Sequence, residues 1–255
     1  DPDYAVVTWP SIANPNFPRE EYERAKRTLP AWKFDMFYNG LFTRPAGLIY
    51  SDYEDDYRPK GHLVKPFTIP AHWPRYVGVD FGGTEHTALT WWAEEMTEGD
   101  NPQPTGCYIA YREALGGGYS GIEHARMAKE YTKEREGKPA EKVVVAAGGA
   151  GSEEKDRLNW SMAGFPVIKP LIPEVEPGID RFISLLRAKR VFIFETLTRF
   201  RAEIATYSRE LDDSGQPTMK IAAKEDFHLL DTVRYIAPYF PIDPTSLQTE
   251  EYVPA

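Results

Sequence analysis

The stretch Arg75-Tyr-Val-Gly-Val-Asp80-Phe-Gly-Gly-Thr84 decides the fold, because a short apolar run ends in an acid and leads into glycines. A second apolar run, residues 87–92, follows at once, and two such runs joined by a glycine-containing turn predict a β-hairpin. Asp80 would then end a strand, where the glycines let a ligand approach the backbone. A carboxylate at this position can bind a divalent cation. An Asp is also common in glycine-rich turns that bind no ligand.

Outward from the hairpin, apolar periodicity predicts further strands and helices. A strand at 106–113 precedes a helix at 120–135, which Ser120 caps with Glu123 three residues on. Three consecutive valines predict a strand at 142–146 that is covered on both faces. The remaining predicted elements are helices at 152–163, 178–188, 198–208 and 226–236, and strands at 165–169 and 191–194. This order predicts an α/β domain with antiparallel strands at one side of its sheet.

Composition narrows the classes of protein. The 255 residues are 42% hydrophobic, which is enough for one large domain with an appended arm. No apolar run approaches the roughly 18 residues of a membrane span, and a single cysteine, Cys107, excludes an internal disulfide and a thiolate zinc site. A net charge of −9 argues against coating nucleic acid by bulk electrostatics. It is compatible with carboxylates gathered around metal ions.

A second polar signal lies in the predicted last helix. His228, Asp231 and Arg234 recur at a spacing of three residues and share one face, while the leucines and valine between them point to the core. Asp231 is therefore either a metal ligand or one half of a solvated ion pair with Arg234. His228 is expected to be a hydrogen-bonded helix residue rather than a ligand.

Taken together, these segments resemble the C-terminal nuclease domain of the large terminase subunits of tailed phages and prophages. Two of the matching segments are Asn14-Pro-Asn-Phe-Pro-Arg-Glu-Glu21 and His228-Leu-Leu-Asp-Thr-Val-Arg-Tyr235. The others, in family order, are residues 29–34, 38–42, 47–50, 76–82, 178–181 and 206–210. No Walker A pattern occurs, so we expect the ATPase half of such a protein to lie upstream of Asp1. The expected division is a linker arm at 1–58, a nuclease domain at 59–240 and a tail at 241–255.

The resemblance implies a ribonuclease H-like mixed sheet flanked by helices, on which catalytic Asp80 and Asp231 hold two divalent cations, Mg²⁺ or Mn²⁺. In that family a further acid follows the fourth strand, whereas here residues 143–147 run into Gly148-Gly-Ala-Gly151. Another acid would have to replace it. The candidates are Glu113, Glu153, Asp180 and Asp226. A D-x-G-x-T stretch also opens the sugar kinase and actin fold, but the second phosphate loop of that fold is not found.

The function that the resemblance implies is a metal-dependent endonuclease that cuts concatemeric viral DNA during genome packaging. Its partners would be double-stranded DNA and, in the full motor, the portal protein and the small terminase subunit, in the cytoplasm of the bacterial host. The alternative is a non-catalytic DNA-binding or portal-docking module with a degenerate nuclease fold. Six basic residues in the second half of the sheet and its helices are candidate phosphate contacts: Lys155, Arg157, Lys169, Arg181, Arg187 and Lys189.

Overall fold

The structure is a computed structural model that describes residues 9–28, 34, 37–40, 47–82, 86–134 and 139–240. The predicted tail at 241–255 lies outside the described residues, as do residues 29–33 and 41–42 of the matching segments. The chain divides into two compact units, residues 1–51 with 206–224, and residues 52–205 with 225–255. The division into an arm, a nuclease domain and a tail stays a prediction.

The larger unit is built on a six-stranded mixed sheet with the order β1-β6-β4-β3-β2-β5. The strands are β1 Leu63–Val64, β2 Arg75–Asp80, β3 Thr87–Met96, β4 Pro104–Gly116, β5 Val143–Gly148 and β6 Val191–Phe194. The pairs β2–β3 and β3–β4 are antiparallel, and β2–β5, β4–β6 and β1–β6 are parallel. The predicted hairpin is confirmed, with Asp80 opposite Ala88.

Helices flank this sheet, as the fold class predicted. They are α2 Gly121–Thr132, α3 Glu154–Met162, α4 Val175–Arg187, α5 Thr198–Thr206 and α6 His228–Ile236. The predicted cap of α2 is confirmed: the Ser120 hydroxyl accepts from the Glu123 amide, and the Glu123 carboxylate accepts from the Ser120 amide at 2.7 Å. None of the described helices is long and apolar enough to cross a membrane.

A glycine lets α6 pack directly on β2. A Cβ built on Gly78 would lie 2.3 Å from the Thr232 carbonyl oxygen, so helix and strand are in backbone contact there. A buried polar link joins the same helix to β3, since the hydroxyls of Thr90 and Thr232 are 2.6 Å apart and the Trp92 indole donates to Thr90. This close packing places the first turn of α6 beside the end of β2.

The smaller unit contains α1 Arg19–Thr28 and a two-stranded antiparallel sheet, β7 Arg209–Leu211 with β8 Pro217–Ile221. The sequence analysis predicted neither of these strands. A bridge between Leu48 and Ser208 and stacked Tyr50 and Tyr207 rings, 5.3 Å apart, tie residues 47–51 to this hairpin.

Two local predictions are wrong. Residues 165–169 form no strand but only one isolated parallel bridge, Ala147 to Ile168, and the prolines at 166 and 170 explain this because each lacks an amide donor. The three valines of β5 are not covered on both faces, since Val144 is 42% exposed. β5 ends the strand order of the sheet, and an end strand has a neighbour on one side only.

Candidate active site

Asp80 and His228 meet where β2 ends and α6 begins. His228 Nδ1 lies 3.0 Å from Asp80 Oδ2, and the two side chains are 27% and 14% exposed. The Asp80 carboxylate raises the pKa of His228 through this hydrogen bond, against the lowering effect of burial. The exposed His86 ring stacks on His228 with centroids 5.3 Å apart. The prediction of His228 as a hydrogen-bonded helix residue is confirmed.

Asp231 lies one turn further along α6 and binds Arg234. Its Oδ1 accepts from Arg234 Nη2 at 2.8 Å and from Nε at 3.0 Å. The ion pair therefore exists, but it is not on a solvated face, because the Arg234 side chain is only 3% exposed. Asp231 also helps to raise the pKa of His228, as do Asp80 and Glu203. The carboxylates thus share one electrostatic neighbourhood around the imidazole.

Glu153 belongs to the same neighbourhood. Burial raises its pKa, and the nearby carboxylates of Asp80 and Asp156 raise it further. The side chain is half-buried and accepts a hydrogen bond from the Ala150 amide in the glycine-rich turn. Arg157, 4% exposed, fixes that turn by donating to the carbonyls of Gly148 and Ala150 at 3.2 and 2.9 Å.

The end of β5 has no room for an acid. A Cβ built on Gly148 would lie 1.9 Å from the Val79 carbonyl oxygen. Gly149 has a φ of +78°, and a Cβ there would lie 2.6 Å from the Phe81 ring. Neither position accepts a side chain without moving β2 or its neighbours. In the sequence the first carboxylate after the strand is Glu153, beyond the turn.

Glu203 is a site-facing acid that the sequence analysis missed. It lies on α5 at 8% exposure, and its carboxylate accepts from the amides of Leu229 and Leu230 at 3.3 and 3.0 Å. Burial raises its pKa to about 7, while these two amides lower it. The carboxylate occupies the positive end of the α6 dipole. Its spacing from Phe200 and Ile204 placed it on the buried face of the helix, which was the available signal.

The other candidate acids have different surroundings. Both oxygens of Glu113 accept backbone amides at the start of α5, from Arg199 at 3.1 Å and Phe200 at 2.7 Å. Asp180 and Asp226 are exposed, on α4 and on a 3₁₀ turn respectively. Their roles as ligands remain predictions.

Comparison with known proteins identifies the fold. No protein-family model matches the sequence, and no curated protein matches it. Among solved structures, the large terminase of a thermophilic bacteriophage matches with a TM-score of 0.58 at 18% identity, over 87% of this chain and 52% of that one. The P22 large terminase nuclease domain matches with 0.55 at 19% identity, over 78% and 93%. The chain has the fold of a large terminase nuclease domain.

The match extends to an isolated nuclease with a metal. The large terminase nuclease from thermophilic phage G20c with bound cobalt aligns with a TM-score of 0.51 at 12% identity, over 75% of this chain and 97% of that one. The chain thus spans about half the length of the first of these large terminases but nearly all of the isolated nuclease domains. Its fold is ribonuclease H-like, as the sequence predicted.

The terminase nuclease fold raises the question of whether these residues suit a divalent cation. By chemistry they do, because carboxylate oxygens with a nearby imidazole are ligands for Mg²⁺ and Mn²⁺. Within the described part of the chain, no three His, Cys, Asp or Glu side chains are grouped closely enough to hold an ion. Asp80 and Asp231 instead pair with His228 and Arg234. Glu85, between Gly82 and His86, is outside the described residues.

The six basic residues predicted to contact DNA phosphates divide into three groups. The buried Arg157 donates to the carbonyls of Gly148 and Ala150, and Arg181 donates to those of Ala237 and Phe240. Both guanidinium groups therefore form hydrogen bonds within the protein that stabilise its fold. The half-buried Lys189 pairs with Glu54 at 2.9 Å. The exposed members are Lys155, Lys169 and Arg187; of these, Lys169 pairs with Glu154 at 3.3 Å and Arg187 with Asp52 at 3.1 Å.

Proposed function

We propose that this chain is the metal-dependent nuclease portion of a phage DNA-packaging motor and that it hydrolyses phosphodiesters of concatemeric viral DNA. The observation that carries the proposal is the position of Asp80, at the end of a central strand and beside the first turn of α6 within a terminase nuclease fold. The carboxylates of Asp80 and Asp231, held by His228 and Arg234, are oxygen ligands of the kind that divalent cations prefer.

We assign Asp80, Asp231 and Glu153 as the residues that hold two divalent cations, Mg²⁺ or Mn²⁺. When bound, such ions supply a nucleophile at neutral pH and stabilise charge on the phosphate. Glu153 is favoured as the third acid because Gly148 and Gly149 leave no room for a side chain and because Asp80 already affects the Glu153 pKa. Glu113 is less suited, since both its oxygens cap α5.

The side chains around this site position its carboxylates in the absence of metal. Glu203 anchors the first turn of α6, and the Asp80–His228 hydrogen bond keeps one carboxylate in place. The raised pKa of His228 favours its protonated form, which offsets part of the negative charge. Cation binding would compete with that proton and with Arg234 for the same oxygens, so affinity should increase with pH.

DNA binding is assigned to exposed basic residues rather than to bulk charge. Lys155, Lys169 and Arg187 would contact phosphates, which fix orientation without reading sequence. The portal protein and the small terminase subunit are proposed as partners of the full motor, acting in the host cytoplasm.

Plasmid cleavage tests the proposal. The parent should linearise supercoiled DNA in Mg²⁺ or Mn²⁺ and leave it intact in EDTA. Asp80→Asn should remove cleavage, because an amide binds a divalent cation weakly, and Asp100→Asn, at an exposed turn position, should cut like the parent. Binding of DNA without cutting in either metal would favour the non-catalytic module instead.

A further inference from the structure

Arg199 lies at the same end of the sheet as Asp80. Strands β2 and β4 run in the same direction on either side of β3, and Asp80 is opposite Ala88, which is in turn opposite Leu115 of β4. The first turn of α5 follows β6 to this end, where Arg199 Nη1 donates to the Leu115 carbonyl oxygen at 3.1 Å. The guanidinium is therefore level with Asp80 along the strands.

The separation of Arg199 from Asp80 is short on the scale of a DNA duplex. Neighbouring strands are about 4.8 Å apart, so two strand spacings and one hydrogen bond give roughly 13 Å along the edge of the sheet. DNA carries one phosphate per about 3.4 Å of axis on each strand. A duplex lying along this edge, with its scissile phosphate at Asp80, would thus bring a phosphate about four base pairs away to Arg199.

The Arg199 guanidinium is held in place but is not neutralised. The side chain is exposed, and its hydrogen bond to Leu115 joins it to an uncharged carbonyl. Glu113 uses its two oxygens to accept the backbone amides of Arg199 and Phe200, at 3.1 and 2.7 Å. Among the described side chains, no carboxylate is within ion-pair distance of this guanidinium. Since an arginine has five N–H donors, most of them are available to a phosphate.

This availability separates Arg199 from most of the basic residues that the sequence predicted as phosphate contacts. Five of those six already donate to carbonyls or pair with acids of the protein, and Lys155 is the exception. A residue in an ion pair must give up its partner before it binds a phosphate. Arg199 can bind one without that cost.

We infer that Arg199 is a phosphate-binding residue of the nuclease site, which holds the DNA backbone a few nucleotides from the scissile bond. The inference rests on the proposed function, because it takes Asp80 as the position of the scissile phosphate. A planar guanidinium can donate to two oxygens of one phosphate. Such a contact positions the duplex without reading its sequence.

Fluorescence anisotropy with a short labelled duplex in EDTA measures this binding without cleavage. Each phosphate contact makes affinity fall with about the 0.9 power of the salt concentration. Arg199→Gln keeps a donor for the Leu115 carbonyl but removes the charge. It should bind about eightfold more weakly than the parent in about 0.1 M salt, and its plot of log K against log salt should be shallower by about 0.9.

Two further variants separate the position of the charge from its mere presence. Arg199→Lys keeps the charge and should retain the parent's slope. Lys142→Gln is the matched control, because it removes one exposed positive charge at the opposite end of β2, where the Lys142 carbonyl accepts from the Arg75 amide at 2.9 Å. It should leave the slope unchanged. Circular dichroism melts check that each variant is folded.

The inference is overturned if Arg199→Gln keeps the parent's slope, if Arg199→Lys or Lys142→Gln lowers the slope as much, or if the parent does not bind the duplex. Plasmid cleavage in Mg²⁺ or Mn²⁺ is scored separately. A chain that cuts while Arg199→Gln keeps the parent's slope contradicts the inference alone. A chain that does not cut but loses slope in Arg199→Gln only supports the inference and contradicts the nuclease activity.

Discussion

Replacing Gly78 by alanine should separate α6 from β2 and so disturb the fold and the site together. The built Cβ lies 2.3 Å from the Thr232 carbonyl oxygen, whereas ordinary contacts begin at 3.4 Å, so the backbones must part by about 1 Å. Overpacking of this kind costs about 1–3 kcal/mol. The same movement strains the buried Thr90–Thr232 hydrogen bond, whose loss would cost about 1–3 kcal/mol more.

The expected loss of unfolding free energy is therefore about 2–6 kcal/mol. For a domain of this size each kcal/mol lowers the Tm by about 2–4 °C, which predicts a fall of roughly 4–24 °C. Urea unfolding and thermal melts followed by circular dichroism measure both quantities. Gly116→Ala is the matched control, because Gly116 also lies in a strand of the sheet and a Cβ there meets nothing within 4 Å.

DNA cleavage by Gly78→Ala is a second measurement of the same effect. His228 and Asp231 move with α6 while Asp80 stays on β2, so cleavage by Gly78→Ala should fall well below that of Gly116→Ala at a temperature where both are folded. If Gly78→Ala unfolds within about 0.5 kcal/mol of the parent, the size of an ordinary surface change, the close packing described here is incorrect.

Three further outcomes are expected. Without metal, Asp231→Asn should lower the Tm, because it removes the carboxylate partner of the buried Arg234. With Mn²⁺, the variant should lose most of the rise in Tm that the metal gives the parent. A variant that melts at a lower temperature yet cuts DNA normally would exclude Asp231 as a ligand. Glu203→Ala should cost about 1–2 kcal/mol of stability, since it leaves the first-turn amides of α6 without their acceptor, and Glu98→Ala at an exposed position should cost nothing measurable in the same urea titration. The purified chain should not hydrolyse ATP in a phosphate-release assay, because its 255 residues contain no Walker A pattern, and steady turnover by pure protein would contradict this.

The parts of the fold that sequence predicted well are those with local signals. The β2–β3 hairpin followed from two apolar runs around glycines, the α2 cap from Ser120 and Glu123, and the strand at 191–194 from four consecutive apolar residues. The strand predicted at residues 165–169 was wrong because the prediction rested on apolar content and neglected the two prolines, which lack amide donors.

The site was less predictable because its contacts join distant segments. Asp80 and His228 are 148 residues apart, and Glu203 reaches the first turn of α6 from another helix. Spacing alone could not decide whether Asp231 is a metal ligand or half of a solvated ion pair with Arg234, because the burial of Arg234 depends on how α6 packs. The absence of an acid after β5 was visible in the sequence, but the contact of Gly148 with Val79, which leaves no room for a side chain at that position, needed the structure.

A crystal of the chain soaked in Mn²⁺ tests the central claim most directly, because an anomalous difference map locates the metal without reference to activity. We expect peaks within about 2.0–2.3 Å of Asp80 oxygens, with Asp231 and Glu153 as further ligands and the Asp80–His228 hydrogen bond broken. A fully soaked crystal with no peak at Asp80, or with Mn²⁺ only at distant surface acids such as Asp180 or Asp226, would contradict it.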